Sequence, residues 1–354
     1  MLNDPTFVPA TGTSFYTLTS ANGKEVPIIS VANRLRRDTL ASWSLATDPT
    51  RLFVANTAGT GGRSIAQLSK GASPEIYASI IDLADQCVVE SASLCGTCGV
   101  AALSYFQGEQ DYALGTTEID YYTALHTLYD DLIADLATST SQVTPPAMFI
   151  TQACSVYDAN TKINSVGNAQ ITAATDVVKA IYLTGPNYAY RDNANHPTNN
   201  GYRNLGEKMA QVMHKVLVLG QGWKPCYCIS AVFRRKHVIL TMHTPEPPLQ
   251  AVDIYSGATL ASVPDYGFEI TDDDGAVSIV DIIIYDSIID IELSRPLTTA
   301  KNPIIHYAGR NNSGEGNICD SDAALSMNND SVSATPYPMN NWLCAFYKSI
   351  TNDE

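Results

Sequence analysis

The chain has 354 residues, of which 45% are hydrophobic, and 21 basic side chains face 36 acidic ones, for a formal net charge of −15. The length predicts two domains, because one domain usually takes about 100–200 residues. The negative charge repels phosphate backbones and anionic bilayers, which argues against nucleic acid and membrane partners. Apolar runs stay below the roughly 18 residues of a spanning helix, and residues 1–10 lack a signal-peptide pattern.

The eight cysteines are too sparse for a disulfide framework, and most of them lie in apolar runs. The pairs Cys95/Cys98 and Cys226/Cys228 have the close spacing that zinc ligands show. A structural zinc site requires two such pairs in one small unit, and these two lie far apart in the sequence. We therefore expect reduced, buried thiols in a protein made inside a cell, with no metal and no cofactor.

Between about residue 52 and residue 220, short β-rich runs alternate with segments of helical period. This alternation predicts a parallel sheet covered by helices, which is an α/β fold. Predicted strands cover 52–56, 100–106 and 147–153, and a predicted helix covers 75–89. A second helix is predicted by the spacing of Tyr122, Leu125, Leu128, Leu132 and Leu136. A closing helix, capped by Thr198 or Asn199, ends at Gly220.

The stretch 220–225 contains Gly220, Gly222 and Pro225, and it predicts a boundary between domain 1–220 and domain 221–354. Later runs are β-branched and are separated by turn clusters such as 272–275, so the second domain is predicted to be an all-β sandwich. The predicted strands there cover 237–242, 267–270, 279–293 and 304–307. We expect this domain to bind carbohydrate or to mediate oligomerisation.

Three polar loops follow predicted strands or short apolar runs. In open α/β sheets the ligand crevice lies outside the carboxyl ends of the strands, so these loops are candidates for the functional site. They cover residues 56–64, 106–111 and 190–198.

In the first loop, glycines allow backbone N–H groups to approach an anion, and a helix is predicted from about Arg63. In the second, Gln107 is a candidate donor to an oxyanion, while Glu109 and Asp111 anchor the loop. In the third, His196 with Asp192 upstream has the arrangement of a histidine base oriented by a carboxylate. Taken singly, each loop is better explained structurally, as a tight strand-to-helix turn, a solvated polar turn or a surface loop.

The three loops together resemble, in order, the later sequence blocks of the SGNH hydrolase superfamily. The resemblance rests on Gly61-Gly-Arg-Ser64, on Gln107-Gly-Glu-Gln-Asp111, and on His196-Pro-Thr198 followed by Gly201-Tyr202 and Leu205-Gly-Glu207. It covers residues from about 50 to 220, and it is strongest for the sialate O-acetylesterase-like and acetylxylan-esterase-like branch. The resemblance implies a flavodoxin-like fold and a serine esterase activity without cofactor.

The resemblance also implies roles for single residues. His196 would be the general base, oriented by Asp192, and the N–H of Gly62 with the side chain of Gln107 would stabilise the oxyanion, supported by Glu109 and Asp111. Asp192 precedes His196 by one residue more than the family pattern requires, and Asn193 holds the matching position.

The family's nucleophile block, Gly-Asp-Ser or Gly-Gln-Ser before the glycine-rich loop, does not occur between Met1 and Arg63. Ser64 lies where the family places the oxyanion glycine block, which disfavours it as a replacement nucleophile. The sequence therefore predicts an α/β domain whose serine comes from a segment outside this chain, either a second polypeptide or a longer precursor.

The C-terminal part resembles the end of bacteriophage tail-spike esterases at Tyr307-Ala-Gly309, Gly316 to Ser321 and Tyr337 to Trp342. This resemblance implies O-acetylated bacterial surface polysaccharide as substrate, a homo-oligomer, contacts with other tail proteins, and location in the virion after synthesis in the host cytoplasm. The alternative is a non-catalytic tail or adhesin component that uses the fold for sugar binding. A phospholipase-like or thioesterase member of the superfamily is disfavoured by the polar loops.

Overall fold

The structure is a computed structural model, and it describes residues 27–48, 50–94, 96–154, 163–190, 197–254, 259–309, 315–330 and 333–353. A helical and parallel-sheet part precedes a β-rich part, as the fold class predicted. The described helices are α1 (Pro27–Ser42), α2 (Ile65–Leu68), α3 (Ala78–Ser93), α4 (Glu109–Leu114), α5 (Glu118–Thr140), α6 (Ser165–Thr175) and α7 (Asn199–Met213). None of them combines the length and the apolar character needed to cross a bilayer.

The first three strands, β1 (Ala102–Tyr105), β2 (Ala147–Gln152) and β3 (Ile181–Pro186), form a parallel sheet in the order β1-β2-β3. The central strand β2 is buried along its whole length, because helices cover both faces of the sheet. Met148 packs in the core beneath α5 and α6, whereas Phe149 packs with α1 and α7 on the other face. Since the strands are parallel, their carboxyl ends meet at one edge.

Helix α5 confirms the predicted amphipathic helix, with one change in the buried face. The hydroxyl of Thr117 accepts a hydrogen bond from the Asp120 N–H at 3.2 Å and caps the first turn. The buried stripe contains Tyr121, Leu125, Leu128, Leu132 and Leu136. Tyr121, rather than the predicted Tyr122, therefore continues the stripe toward the amino end, and it lies next to the candidate site.

The predicted strand over residues 52–56 is wrong. Residues 51–60 have no regular structure, and the side chain of Leu52 is 64% exposed. A short apolar run becomes a strand when a neighbouring strand takes up its backbone hydrogen bonds. None of the described residues pairs with this segment.

Strands of the second part are β4 (Tyr227–Arg234), β5 (His237–His243), β6 (Gln250–Ala251), β7 (Phe268–Asp272), β8 (Gly275–Val277), β9 (Ile279–Tyr285), β10 (Ile288–Leu293), β11 (Ile304–Tyr307), β12 (Ile318–Cys319), β13 (Leu325–Asn329), β14 (Pro336–Pro338), β15 (Phe346–Ser349) and β16 (Thr351–Asn352). Two larger sheets, β16-β4-β5-β10-β9 and β15-β11-β7-β8, share one apolar core, to which Leu240 and Ile289 contribute from the first sheet and Ile270 and Ile305 from the second. The predicted turn at 272–275 connects β7 and β8.

The helical part and the β-rich part share buried hydrogen bonds. The side-chain amide of Gln152, at the end of β2, donates to the Ala345 carbonyl at 2.8 Å, and its oxygen accepts from the Ala345 N–H at 2.8 Å. On the other face of the sheet, Arg34 of α1 donates to the Leu325 carbonyl at 2.9 Å. The change to β structure falls between Val218 and Tyr227. Separate domains with a boundary at Gly220 remain a prediction.

Candidate functional site

The candidate site lies at the carboxyl edge of the parallel sheet. Gln107 follows the end of β1 by two residues, and Asn187 directly follows β3. The glycine-rich loop reaches the same edge, because the carbonyl of Arg63 accepts a hydrogen bond from the Gln107 amide at 3.1 Å. The structure thus brings together the first two of the three predicted loops.

Asp111 connects these two loops. Its side chain is 2% exposed, and one carboxylate oxygen accepts hydrogen bonds from the Ile65 N–H at 2.8 Å and from the Gln107 amide. The other oxygen accepts from the Thr116 hydroxyl at 3.0 Å. The predicted anchoring role of Asp111 has this geometric basis: one buried carboxylate fixes the start of α2 against the loop after β1.

Gln107 differs from the freely donating amide that the resemblance implies. Both hydrogens of its amide nitrogen are used, by the Arg63 carbonyl and by the Asp111 carboxylate. The opposite orientation of the amide is excluded, because both of those partners can act as acceptors and not as donors. In this structure Gln107 therefore positions the glycine-rich loop, and direct donation to an oxyanion requires one of the two hydrogen bonds to break.

Two buried residues that the sequence interpretation missed hold Gln107 from the other side. The Tyr121 hydroxyl donates to the side-chain oxygen of Gln107 at 2.8 Å, and the Gln170 amide donates to its backbone carbonyl at 2.9 Å. Burial, reinforced by the Asp111 charge, raises the pKa of Tyr121 well above its usual value, so that it remains a donor. Tyr121 and Gln170 lie within ordinary helical segments, and no local pattern distinguishes them.

Gly62 has the conformation that its predicted role requires. Its φ is +69°, in the left-handed region, where a side chain is strained. Steric crowding is not the reason for a glycine at this position, because an added Cβ would meet no atom within 4 Å. Within the described part of the chain its N–H donates no hydrogen bond, so the group is available to a ligand.

Ser64 is occupied as a helix cap. Its hydroxyl accepts from the Gln67 N–H at 3.4 Å, and its own N–H donates to the Gln67 side chain at 3.0 Å, which together form a capping box at the start of α2. The residue is 3% exposed. Burial and capping leave its hydroxyl poorly placed for attack on an ester.

We expect Ser64→Ala to lower the free energy of unfolding by about 1 kcal/mol through the lost cap, while any hydrolysis of p-nitrophenyl acetate by the chain stays unchanged. Urea denaturation and a spectrophotometric assay measure the two quantities. Ser64→Asp, which retains a capping oxygen, is the matched control and should keep the wild-type stability. Hydrolysis that disappears in both variants would instead make Ser64 a nucleophile.

Glu109 and Asn187 connect the first and third strand ends. The Asn187 side chain donates to the Glu109 carboxylate at 3.4 Å, and its oxygen accepts from the Cys154 N–H at 2.9 Å. Burial, and then the charge of Glu109, raises the pKa of Tyr202 on α7. The predicted supporting residue Glu109 therefore lies between the ends of β1 and β3, and Asn187 is a third residue that the sequence interpretation missed.

His196 and Asp192, the predicted base and its orienting carboxylate, lie outside the described residues. Thr198, two positions after His196 in the sequence, is the N-cap of α7, and its hydroxyl accepts from the Gly201 N–H at 3.4 Å. The predicted cap of the closing helix is therefore confirmed.

Among the described residues, no group of three or more His, Cys, Asp or Glu side chains could hold a metal ion. Cys226 and Cys228 are buried, and burial raises the pKa of Cys228 to about 12. Of the other pair, Cys98 is half-buried and Cys95 lies outside the described residues.

Residues 44–215 match the family of carbohydrate esterases described as sialic acid-specific acetylesterases. Among solved structures, a carbohydrate acetylesterase from Xanthomonas citri aligns with 90% of this chain at 15% identity and a TM-score of 0.53. This chain spans 65% of the length of that protein. The surface-layer protein rSbsC aligns with 94% of this chain and with 35% of its own length, at 12% identity. Its TM-score of 0.23 is too low to indicate a shared fold. No curated protein matches the chain.

These similarities agree with the geometry of the α/β part. The family match covers the first two loops, the strands β1 to β3 and all of α7. This chain, with its parallel sheet followed by β structure, matches the fold of that carbohydrate esterase.

Proposed function

We propose that the chain is the larger part of a carbohydrate O-acetylesterase with a serine/histidine hydrolase mechanism. The observation that carries the proposal is the buried carboxylate of Asp111, which fixes the Gly62 loop against Gln107 at the carboxyl edge of the sheet. The left-handed Gly62, whose N–H donates no hydrogen bond within the described residues, supports an oxyanion donor in this loop. The family similarity of residues 44–215 supports the same reaction class.

In this mechanism His196 removes the proton from a serine hydroxyl while the serine oxygen attacks the acetyl carbonyl carbon. The N–H of Gly62 donates to the carbonyl oxygen as negative charge develops on it. The C–O bond to the sugar then breaks, and the sugar oxygen takes the proton from His196. Water, deprotonated by the same imidazole, then attacks the acetyl-serine. The bond between the acetyl carbon and the serine oxygen breaks, acetate leaves, and the imidazolium returns its proton to the serine oxygen. Asp192 holds the imidazole and stabilises its charged form.

The nucleophile, in this proposal, comes from a segment outside this chain. Ser64, the serine of the glycine-rich loop, is engaged in a capping box and is buried, which argues against it as the nucleophile. The exposed apolar side chains of Leu52, Phe53 and Val54 precede the glycine-rich loop, and β1 has no described partner on its outer edge. Buried apolar contacts and backbone pairing with an additional strand at this edge would account for both features.

We infer O-acetylated bacterial surface polysaccharide as the substrate, and a homo-oligomer in a phage tail as the setting, from the C-terminal resemblance alone. Tyr307 and Trp342, two residues of that resemblance, are buried. The Tyr307 hydroxyl accepts from the Ile318 N–H at 3.0 Å and contacts the Tyr188 hydroxyl at 3.1 Å. These residues stabilise the β-rich part, so their pattern supports a shared fold of this region rather than a contact with sugar.

The second candidate is a non-catalytic component that binds sugar without hydrolysing it. The observation in its favour is that Ser64, the serine of the glycine-rich loop, serves as a helix cap. Adding the serine segment distinguishes the two candidates: an esterase would then release acetate, whereas a sugar-binding component would not.

We expect the isolated chain to hydrolyse p-nitrophenyl acetate no faster than its His196→Ala variant, because a base without a nucleophile gives no acyl-enzyme. Initial rates over a range of protein concentrations measure this. A rate that is proportional to protein and is lost in His196→Ala would contradict the external serine and would require a nucleophile within the chain.

A further inference from the structure

Cys87 and Cys98 differ from the other described cysteines in their exposure. All seven cysteines among the described residues are free thiols, and five of them are buried, namely Cys154, Cys226, Cys228, Cys319 and Cys344. Cys87, on α3, and Cys98, in the segment before β1, are both half-buried. These two are therefore the described thiols that a reagent from solution can reach.

The chain folds back onto the last turn of α3 before it reaches Cys98. The Gly96 N–H donates to the Ser91 carbonyl at 2.9 Å, and the Ser91 hydroxyl donates to the Cys87 carbonyl at 2.6 Å. Ser91 thus lies one helical turn beyond Cys87, and Cys98 follows Gly96 by two residues, which span at most about 7 Å. The reversal of the chain keeps Cys98 within reach of the turn of α3 that carries Cys87.

The segment that contains Cys98 is anchored on its other side as well. The side-chain oxygen of Gln142 accepts from the Val100 N–H at 2.7 Å, and the Gln142 amide donates to the Val100 carbonyl at 3.0 Å. Cys98 is therefore held between two fixed points, Gly96 against α3 and Val100 against Gln142. A cysteine on an anchored segment can be oxidised without a large rearrangement of the backbone.

The two thiols also interact with each other. Burial, then the charge of Cys98 and a hydrogen bond with the Cys98 side chain, raise the pKa of the Cys87 thiol. A hydrogen bond between two cysteine side chains requires neighbouring sulfur atoms. The reduced chain thus already holds Cys87 and Cys98 in contact, which agrees with the path of the backbone between them.

We propose that Cys87 and Cys98 form a disulfide bond when the chain meets oxidising surroundings. The oxidant is a small-molecule disulfide such as oxidised glutathione. One cysteine thiolate attacks a sulfur of this oxidant, whose S–S bond breaks and releases one glutathione thiolate. The second cysteine thiolate attacks the protein sulfur of the mixed disulfide and releases the other. Two cysteines are oxidised, two glutathione thiols are formed, and these take up the two cysteine protons.

The disulfide would join the last part of α3 to the segment that leads into β1. It would close a loop between positions 87 and 98, and β1 is the edge strand of the parallel sheet. A cross-link of this kind stabilises the folded chain mainly by restricting the unfolded one. The reduced thiols of a chain made inside a cell would be the precursor. This inference goes beyond the proposed function and does not depend on it.

Peptide mapping tests the proposal, because Glu90 lies between the two cysteines. The full chain is incubated with oxidised glutathione, alkylated with N-ethylmaleimide, denatured and cut by glutamyl endopeptidase after Glu75, Glu90 and Glu109. We expect most chains to give a linked pair of peptides, 76–90 with 91–109, that dithiothreitol separates. The thermal midpoint of the oxidised chain should exceed that of the reduced chain by about 3–6 °C.

Three serine variants assign the bond. Cys87→Ser and Cys98→Ser should each lose the linked peptides and the rise in thermal midpoint. Cys95→Ser is the matched control and should keep both, because Cys95 is the other cysteine of peptide 91–109. The reduced forms of all three variants should melt within about 2 °C of the reduced wild type, since Cys87 and Cys98 are half-buried and serine is a conservative replacement.

Recovery of peptides 76–90 and 91–109 as separate alkylated species after oxidation would overturn the proposal. A bond within peptide 91–109, which would join Cys95 to Cys98, would overturn it as well, and so would linked peptides that disappear in Cys95→Ser. Equal thermal midpoints for the oxidised and reduced wild type would contradict the stabilising role of the bond.

Discussion

In an enzyme completed with a Gly-Gln-Ser segment, His196→Ala is expected to lower kcat for acetate release by about 10⁴-fold or more, as for other members of a catalytic triad. The effect is large because the same imidazole acts in both acylation and deacylation. The measurement is acetate release at saturating O-acetylated polysaccharide, with KM determined in parallel. His214→Ala is the matched control, because His214 follows the other end of α7 and contacts the exposed Ser42 hydroxyl at 2.8 Å.

Gln107→Ala is expected to lower kcat of the completed enzyme by about 10²-fold with little change in KM, the loss that a single oxyanion contact produces. The structure gives an indirect route to this loss, because the amide holds the Arg63 carbonyl and thereby the adjacent Gly62. The oxyanion forms during the reaction, so substrate binding is little affected. A variant with raised KM and unchanged kcat would show that this edge binds sugar without serving catalysis.

A large effect on stability is expected at Asp111, where alanine should lower the free energy of unfolding by about 3 kcal/mol. The Ile65 N–H and the Gln107 amide would both be left buried without an acceptor, and each such donor costs about 1–3 kcal/mol. Because α2 and the Gly62 loop would lose their connection to Gln107, activity of the completed enzyme should fall as well. Urea denaturation gives the stability and acetate release gives the activity.

The variant Asp111→Asn keeps the shape of the side chain and removes its negative charge. The asparagine oxygen can accept from Ile65 and Gln107 while its NH2 group donates to the Thr116 hydroxyl, so this variant should lose about 1 kcal/mol. Asp130→Ala removes an exposed carboxylate paired with Lys179 and should change stability by less than about 1 kcal/mol. A wild-type stability for Asp111→Ala would mean that the two loops are held together by other contacts.

The elements that the sequence predicted are those with a strong local pattern. Helix α5 has five buried apolar positions at helical spacing, and α7 begins at a threonine cap, so both can be identified without knowledge of their neighbours. The strands β1 and β2 are short apolar runs between helices, and each forms because parallel neighbours pair with it. Residues 52–56 have the same local pattern but no described partner, and pairing is not encoded in one segment.

The residues of the candidate site that could be predicted from the sequence are those in loops that directly follow predicted strands. Gln107 and Asp111 lie together because α4 begins between them, but the contact of Asp111 with Ile65 spans 46 positions and has no local signature. The same reason explains the missed Tyr121 and Gln170, whose polar atoms reach Gln107 across the fold. The expectation for Gln107 also changed, since one amide hydrogen is taken by the carbonyl of Arg63, 44 positions away in the sequence, and the other by Asp111 of α4.

The most direct test of the central claim adds the missing serine. A segment with the Gly-Gln-Ser block is fused to the chain or expressed with it, and acetate release from an O-acetylated polysaccharide is compared for serine and alanine forms of that block. The account predicts acetate release that requires both the added serine and His196. Absence of release in a folded complex that contains the serine, or equal release from the alanine form, would contradict it.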